Sequence, residues 1–165
     1  MLNKIVAASL FALTMGSTVA HAAGEASSLI NIKATVPTKT FYVLPHDPEF
    51  GKDETLHYNP VNSSLSSLKQ PFNVKNTDGS IHAYIEGGPA SLFNGNPLQN
   101  IALTTTFNGV MLTATPQEVV SDAASTPGTR ADLVITPAAL EAEHVGDYTA
   151  SYTVIFDNVP RVTMH

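Results

Sequence analysis

Apolar and polar residues alternate in short stretches along most of this chain, and turn residues separate the stretches. The pattern is clearest near the two ends. In "INIKATV", Ile30, Ile32, Ala34 and Val36 fall on one side, with Asn31, Lys33 and Thr35 on the other. In "GDYTASYTVIFD", Tyr148, Ala150, Tyr152, Val154 and Phe156 alternate with Thr149, Ser151, Thr153 and Ile155. Successive side chains of a strand point to opposite faces, so both segments read as half-buried β-strands.

Between them the same signal recurs. "TFYVL" (40–44) is β-branched and aromatic and stops at Pro45, and the loop "PHDPEFGKDE" follows. "TLHYNP" places Leu56 and Tyr58 in phase. "FNVKN" (72–76) and "IHAYI" (81–85) flank "TDGS", which predicts a hairpin. "IALTTTF" and "VMLTA" are separated by Asn108-Gly109, the pair that a type I′ turn needs because both central residues take positive φ. "TPQE" (115–118) has the form of a helix start, with Thr115 as N-cap, Pro116 at the first position and Glu118 closing a capping box. It leads only into Val119 and Val120, enough for a short surface turn. "DLVIT" (132–136) is a further strand. With about seven or eight short strands and no long helical pattern, the chain reads as all-β, a β-sandwich of immunoglobulin-like type.

The first residues alter the picture of compartment. Lys4, an apolar run "IVAASLFALTMG" and the small-x-small "AHA" ending at Ala22 form a signal peptide over residues 1–22. Of the 165 residues, cleavage there leaves 143, one domain's length. Removal of Lys4 leaves 7 basic against 14 acidic residues, scattered along the chain, which argues against nucleic acid and anionic membranes as partners. The absence of cysteine removes thiol chemistry and thiolate metal sites.

Little else points to catalysis or to a cofactor. His46, His57, His82, His144 and His165 show no paired ligand spacing, and His57 and His82 lie out of phase with their apolar neighbours. No serine sits in a G-x-S-x-G elbow, and "EGGPASLFNGN" lacks the helix and lysine of a phosphate cradle. The chain therefore reads as a non-enzyme with no cofactor and no metal. One alternative is a monomeric periplasmic β-sandwich that binds a metal or small ligand. Its sharpest form requires cleavage after Ala20, which would expose His21 as an N-terminal copper brace.

Taken in order, "INIKATV", "LHYNP", "FNVKNTD", "LTTTFNGVMLTAT", "DLVI" and "GDYTASYTVIF" resemble a major pilin of the alpha (class 5) chaperone–usher group, that of colonization factor antigen I and the cable pilins. The likeness spans nearly all of the mature chain. It implies an incomplete immunoglobulin-like sandwich that lacks its final strand and is completed by a donor strand from a neighbouring subunit. Residues 23–37 would be the donor extension, with Ile30, Ile32, Ala34 and Val36 as its inserted side chains, and residues 38–165 the sandwich. The acceptor groove would run beside the strand carrying Tyr148, Ala150, Tyr152, Val154 and Phe156. The implied partners are further copies of the chain, a periplasmic chaperone, an outer-membrane usher and a tip adhesin subunit, and the implied location is a surface fimbria reached through the periplasm. Periodicity alone favours the first strand of the chain's own sandwich over a donor, and the ordered family likeness reverses that preference. Two features depart from the group. Pro37 follows the donor pattern one position early, without the acidic residue usual before it. The chain also continues past the last alternating strand as "DNVPRVTMH" (157–165), where relatives tend to stop.

Overall fold

A computed structural model describes residues 32–34, 36 and 40–162. The signal peptide, Ile30 and Pro37 lie outside the described residues. The chain divides into two units, Met1–Thr35 and Val36–His165. In the first unit, Ile32, Lys33 and Ala34 are exposed and belong to no strand.

The second unit is built from antiparallel strands. The larger sheet has the order β1 (Phe41–Pro45), β4 (Leu68–Asn76), β10 (Thr129–Pro137), β7 (Ile101–Phe107) and β6 (Ser91–Leu92), with β8 (Val110–Met111) paired to β7. The smaller sheet has the order β11 (Val154–Pro160), β5 (Gly79–Ile85) and β9 (Gln117–Val120), and β2 (Tyr58–Asn59) pairs with β3 (Ser64–Leu65) in a ribbon. Alternation explains which faces meet. On β7, Ile101, Leu103, Thr105 and Phe107 are buried while Ala102 and Thr104 are exposed; on β5, Ile81, Ala83 and Ile85 are buried. The two inner faces pack as a sandwich. Phe107 occupies its centre, with its ring centroid 5.5 Å from that of Phe72 and 4.8 Å from that of Phe156. Each such buried aromatic contributes about 1.5–3 kcal/mol through the area it removes from water.

Several local expectations hold. Strands form at "TFYVL", "FNVKN", "IHAYI", "IALTTTF" and "DLVIT", and Asn108 and Gly109 take φ of 51° and 80°, as the type I′ turn between β7 and β8 requires.

Three expectations are corrected. The "TDGS" segment is not a hairpin, because β4 and β5 belong to different sheets and the turn between them is a corner of the sandwich. Phe72 and Val74 on one strand and Ile81, Ala83 and Ile85 on the other all face the shared interior, which sets the strands face to face. Asn76 fastens the corner. Its Nδ2 donates to the Ser80 carbonyl at 2.7 Å and to Asn158 Oδ1 at 2.9 Å, and its Oδ1 accepts from the Asp78 N–H at 3.0 Å. Gly79 begins β5 here because a Cβ at this position would overlap the backbone of Val159–Arg161.

Likewise, "TPQE" starts no helix. Gln117–Val120 is strand β9, with Val119 and Val120 both buried, so core contact overrides the capping pattern. The only α-helix among the described residues, α1, is a single turn at Asp122–Ser125, and Pro97–Gln99 forms a 3-10 turn.

Finally, the last strand runs from Val154 to Pro160, not from Tyr148 to Phe156. Thr149 instead exchanges two backbone hydrogen bonds with Phe93, just beyond β6, at 2.8 and 3.0 Å. The chain changes sheets between Ala150 and Thr153, whose carbonyl accepts from the Glu86 N–H at 3.0 Å. The first part of "DNVPRVTMH" is therefore strand and not tail.

Candidate functional site

Among the described residues, β1 closes one end of the larger sheet and β11 one end of the smaller, and each has a strand neighbour on one side only. Phe72, one strand in from β1, lies 6.2 Å from Phe156 on β11 and 5.8 Å from Phe50 in the loop after β1. Both open edges thus border one region of the sandwich.

A cleft of about 940 Å³ occupies that region. Phe72, Leu103, Leu133 and Ile135 line it from the larger sheet, and Val154 and Phe156 from β11. Phe50 and Leu56 contribute from the loop, and Leu92, Tyr148, Ala150 and Tyr152 line the part beyond the sheet change. All five residues expected to form an acceptor groove, Tyr148, Ala150, Tyr152, Val154 and Phe156, line this one cleft. Leu103, Leu133 and Ile135 lie on segments that the sequence marks as strands, with no face assigned to them there. Phe50 sits in a non-periodic loop that carried no such signal.

Lys52, Asp53, Glu54 and Thr55 from the loop and Asp147, Thr149 and Ser151 from the segment before β11 also line the cleft, so part of its wall is polar. Thr105 is 1 % exposed, and its Oγ1 lies 2.8 Å from the Tyr152 hydroxyl. Burial raises the Tyr152 pKa above its ordinary value, opposed in part by the Thr105 hydrogen bond. The Tyr148 hydroxyl accepts from Asn94 Nδ2 at 3.1 Å. A smaller cleft of about 560 Å³ adjoins, sharing Tyr58, Leu65, Gly146 and Tyr148 and lined also by Leu140 and His144.

The free edge of β11 follows from its register. The pairs 153/86 and 161/78 are joined by the Glu86 N–H to Thr153 carbonyl bond and the Arg161 N–H to Asp78 carbonyl bond, so the odd residues of β11 bond to β5. In an antiparallel pair such bonding alternates. Val154, Phe156 and Asn158 therefore turn their backbone groups to the open side, up to Pro160, which has no N–H to offer.

Of the expected donor residues, Ile32 and Val36 are 88 % and 86 % exposed, Ala34 is exposed, and Ile30 lies outside the described residues. Among the described residues, no group of three or more His, Cys, Asp or Glu is placed to hold a metal ion. His57 is exposed, and His82 Nε2 stands 4.0 Å from Glu118 Oε2. No helix among the described residues is long and apolar enough to cross a membrane.

The sequence profile of the CS1 type fimbrial major subunits matches residues 26–157. The chain belongs to that family. It is thus a structural fimbrial subunit, a pilin, and its place is a surface fimbria. The pilin's fold is similar to that of the CooA pilin subunit from enterotoxigenic Escherichia coli, with a TM-score of 0.57 and 20 % identity over 72 % of this chain and 86 % of that one. No curated protein matches the pilin's sequence at a significant level.

Proposed function

We propose that this pilin polymerises by donor-strand exchange, with residues 30–36 of one copy filling the cleft of the next and pairing with the free edge of β11. The observation that carries this reading is a cleft of about 940 Å³, with an apolar wall from both sheets, beside a strand edge that has no partner among the described residues, in a chain whose Ile32 and Val36 are exposed. An added strand satisfies the edge N–H and C=O groups and sends every second side chain into the cleft. Burial of Ile30, Ile32 and Val36 would contribute roughly 1.5–3 kcal/mol each before ordering costs, and Ala34 much less. Each subunit gives at one end and receives at another, so the contact does not close and a filament grows.

The open cleft also gives reasons for helpers. A groove of this size with an apolar wall, beside a strand edge without a partner, invites misassociation until it is filled. A periplasmic chaperone would cover it after export, an outer-membrane usher would organise the exchange, and a tip adhesin would end the series. The fibre supports adhesion by reach.

Ile32→Asp tests the reading. The variant should remain monomeric, giving none of the slow-migrating multimers expected of wild type in unheated detergent gels. Its complex with the chaperone should be unaffected, because the cleft is intact. Wild-type amounts of multimer from Ile32→Asp would exclude residues 30–36 as the donor.

A further inference from the structure

Charge is divided between the two outer faces of the sandwich. Lys69, Lys75 and Arg130 stand on strands of the larger sheet, whose strands hold one carboxylate, Asp132. All four alternate with the inward Phe72, Val74, Ala131 and Leu133, so they point away from the core. Lys69 Nζ lies 2.8 Å from Asp132 Oδ2, which leaves Lys75 and Arg130 with no carboxylate partner among the described residues. Arg130 is opposite Asn73, two residues from Lys75, so the two cations are diagonal neighbours about 7–8 Å apart.

The strands of the smaller sheet carry no lysine or arginine. On its outer face Glu118 and Asp157 stand opposite His82, one on each side. They are therefore two strand spacings apart, about 9.5 Å, close to the spacing of the two cations. Exposed Glu86 follows just beyond β5, and Arg161 at the end of β11 is already paired with Asp122. Both faces also carry apolar surface. Leu44, opposite Asn73, is 57 % exposed on the basic face, and Ile155 lies opposite Tyr84 on the acidic one. Lys75, Arg130, Glu118 and Asp157 do not line the cleft, so both faces stay free when the cleft is filled.

We infer that the two faces are a complementary pair, and that the Lys75–Arg130 face of one subunit docks on the Glu118–Asp157 face of a second copy in a neighbouring fibre. The faces lie on opposite sides of the sandwich, so the contact is heterologous and a fibre takes a partner on each side. One exposed contact of this kind is too weak to join two free subunits. Two fibres of the same subunit repeat at the same spacing, so one contact in register brings the others with it and the array holds by multivalency. The inference requires a fibre of repeating subunits, whatever joins one subunit to the next.

The test is low-speed sedimentation of purified fibres, which pellets bundles and leaves single fibres in the supernatant. The pelleted fraction of wild type should fall about fivefold or more between about 20 mM and about 500 mM salt, as the screening length shrinks from roughly 20 Å to roughly 4 Å. Lys75→Glu with Arg130→Glu makes both faces acidic; Glu118→Lys with Asp157→Lys makes both basic. Each double variant alone should stay dispersed in low salt while giving the wild-type multimer ladder in unheated detergent gels. Mixed in equal amounts, the two variant fibres should pellet together, because each supplies the face that the other has lost. Damage to the fold would not be repaired by mixing. A variant that pellets alone like wild type, or a mixture that stays dispersed, overturns the inference. A change in fibre width with pelleting unaltered would place the contact within one fibre and overturns it equally. If a variant fails to assemble, the wild-type response decides: fibres that stay single in low salt, or bundled in high salt, overturn the inference.

Discussion

Asn76 is fully buried and yet polar, and three of its hydrogen bonds meet groups on three different parts of the chain. Truncation to alanine leaves the buried Ser80 carbonyl without this partner, whereas the Asn158 side chain is exposed and can turn to water. The expected cost is about 1–3 kcal/mol, read as a lower midpoint in urea unfolding at unchanged slope. The effect should also loosen β11, because Asn158 is on that strand. None of this was legible in the sequence, since Asn76 and Asn158 are 82 residues apart and nothing in "FNVKN" marks its asparagine as buried. Asn108-Gly109 is the opposite case. Its turn depends on the φ preferences of two adjacent residues, so local chemistry was enough.

Among the elements, the tie between α1 and the end of β11 is electrostatic. The Arg161 guanidinium donates to Asp122 through Nε at 2.9 Å and Nη2 at 2.6 Å, and Nη2 also reaches Thr126 Oγ1 at 3.0 Å. The Arg161 hydrogen bond, followed by that from the Thr126 hydroxyl, holds the Asp122 carboxyl below the ordinary carboxylate range. A depressed folded-state pKa contributes stability that is complete above the unfolded value and is lost as the pH falls through the folded one. Wild type should therefore exceed Asp122→Asn in urea midpoint near neutral pH. The gap should close in acid, below the ordinary carboxylate range, and should shrink in high salt because the pair is exposed. At this scale strand faces were readily legible, but strand partners were not. Alternation identified β4, β5, β7 and β10, because burial on one side leaves a period of two. It extended the last strand back to Tyr148 because Tyr148, Ala150 and Tyr152 keep the phase of Val154 and Phe156 even where the chain crosses to the other sheet. The "TPQE" pattern misled for a related reason, as a cap is a local preference and Val119 and Val120 are claimed by the core.

At the scale of the whole sandwich, the decisive property is that β1 and β11 each have a free edge among the described residues. The unit Val36–His165, produced without the preceding residues, should gain stability when a peptide of residues 27–37 is added. At a free peptide concentration a hundred times its dissociation constant, mass action contributes about 2.7 kcal/mol, which corresponds to a rise in melting temperature of about 10 °C. No change in melting temperature would mean that this unit needs nothing further and would remove the basis for exchange. The residues of the cleft wall were legible as a set, Tyr148 through Phe156, since the alternating pattern and the family likeness coincided there. Its depth was not. The contributions of Phe50, Leu56 and Leu92 come from a loop and a two-residue strand, and the Thr105 anchor emerges only when β7 is laid against the segment carrying Tyr152.

β11 pairs with β5 over seven residues, in continuous register from Val154 opposite Ile85 to Pro160 opposite Gly79. In a fibre joined by the proposed donor strand, tension would pull along the strand axis. The hydrogen bonds between β11 and β5 are then loaded side by side and must fail together, as in a lap joint, instead of opening one after another like a zip. If the proposed donor strand joins the subunits at this edge, the seam between β11 and β5 would carry the load, and the fibre's tensile limit would be set by how many rungs shear at once.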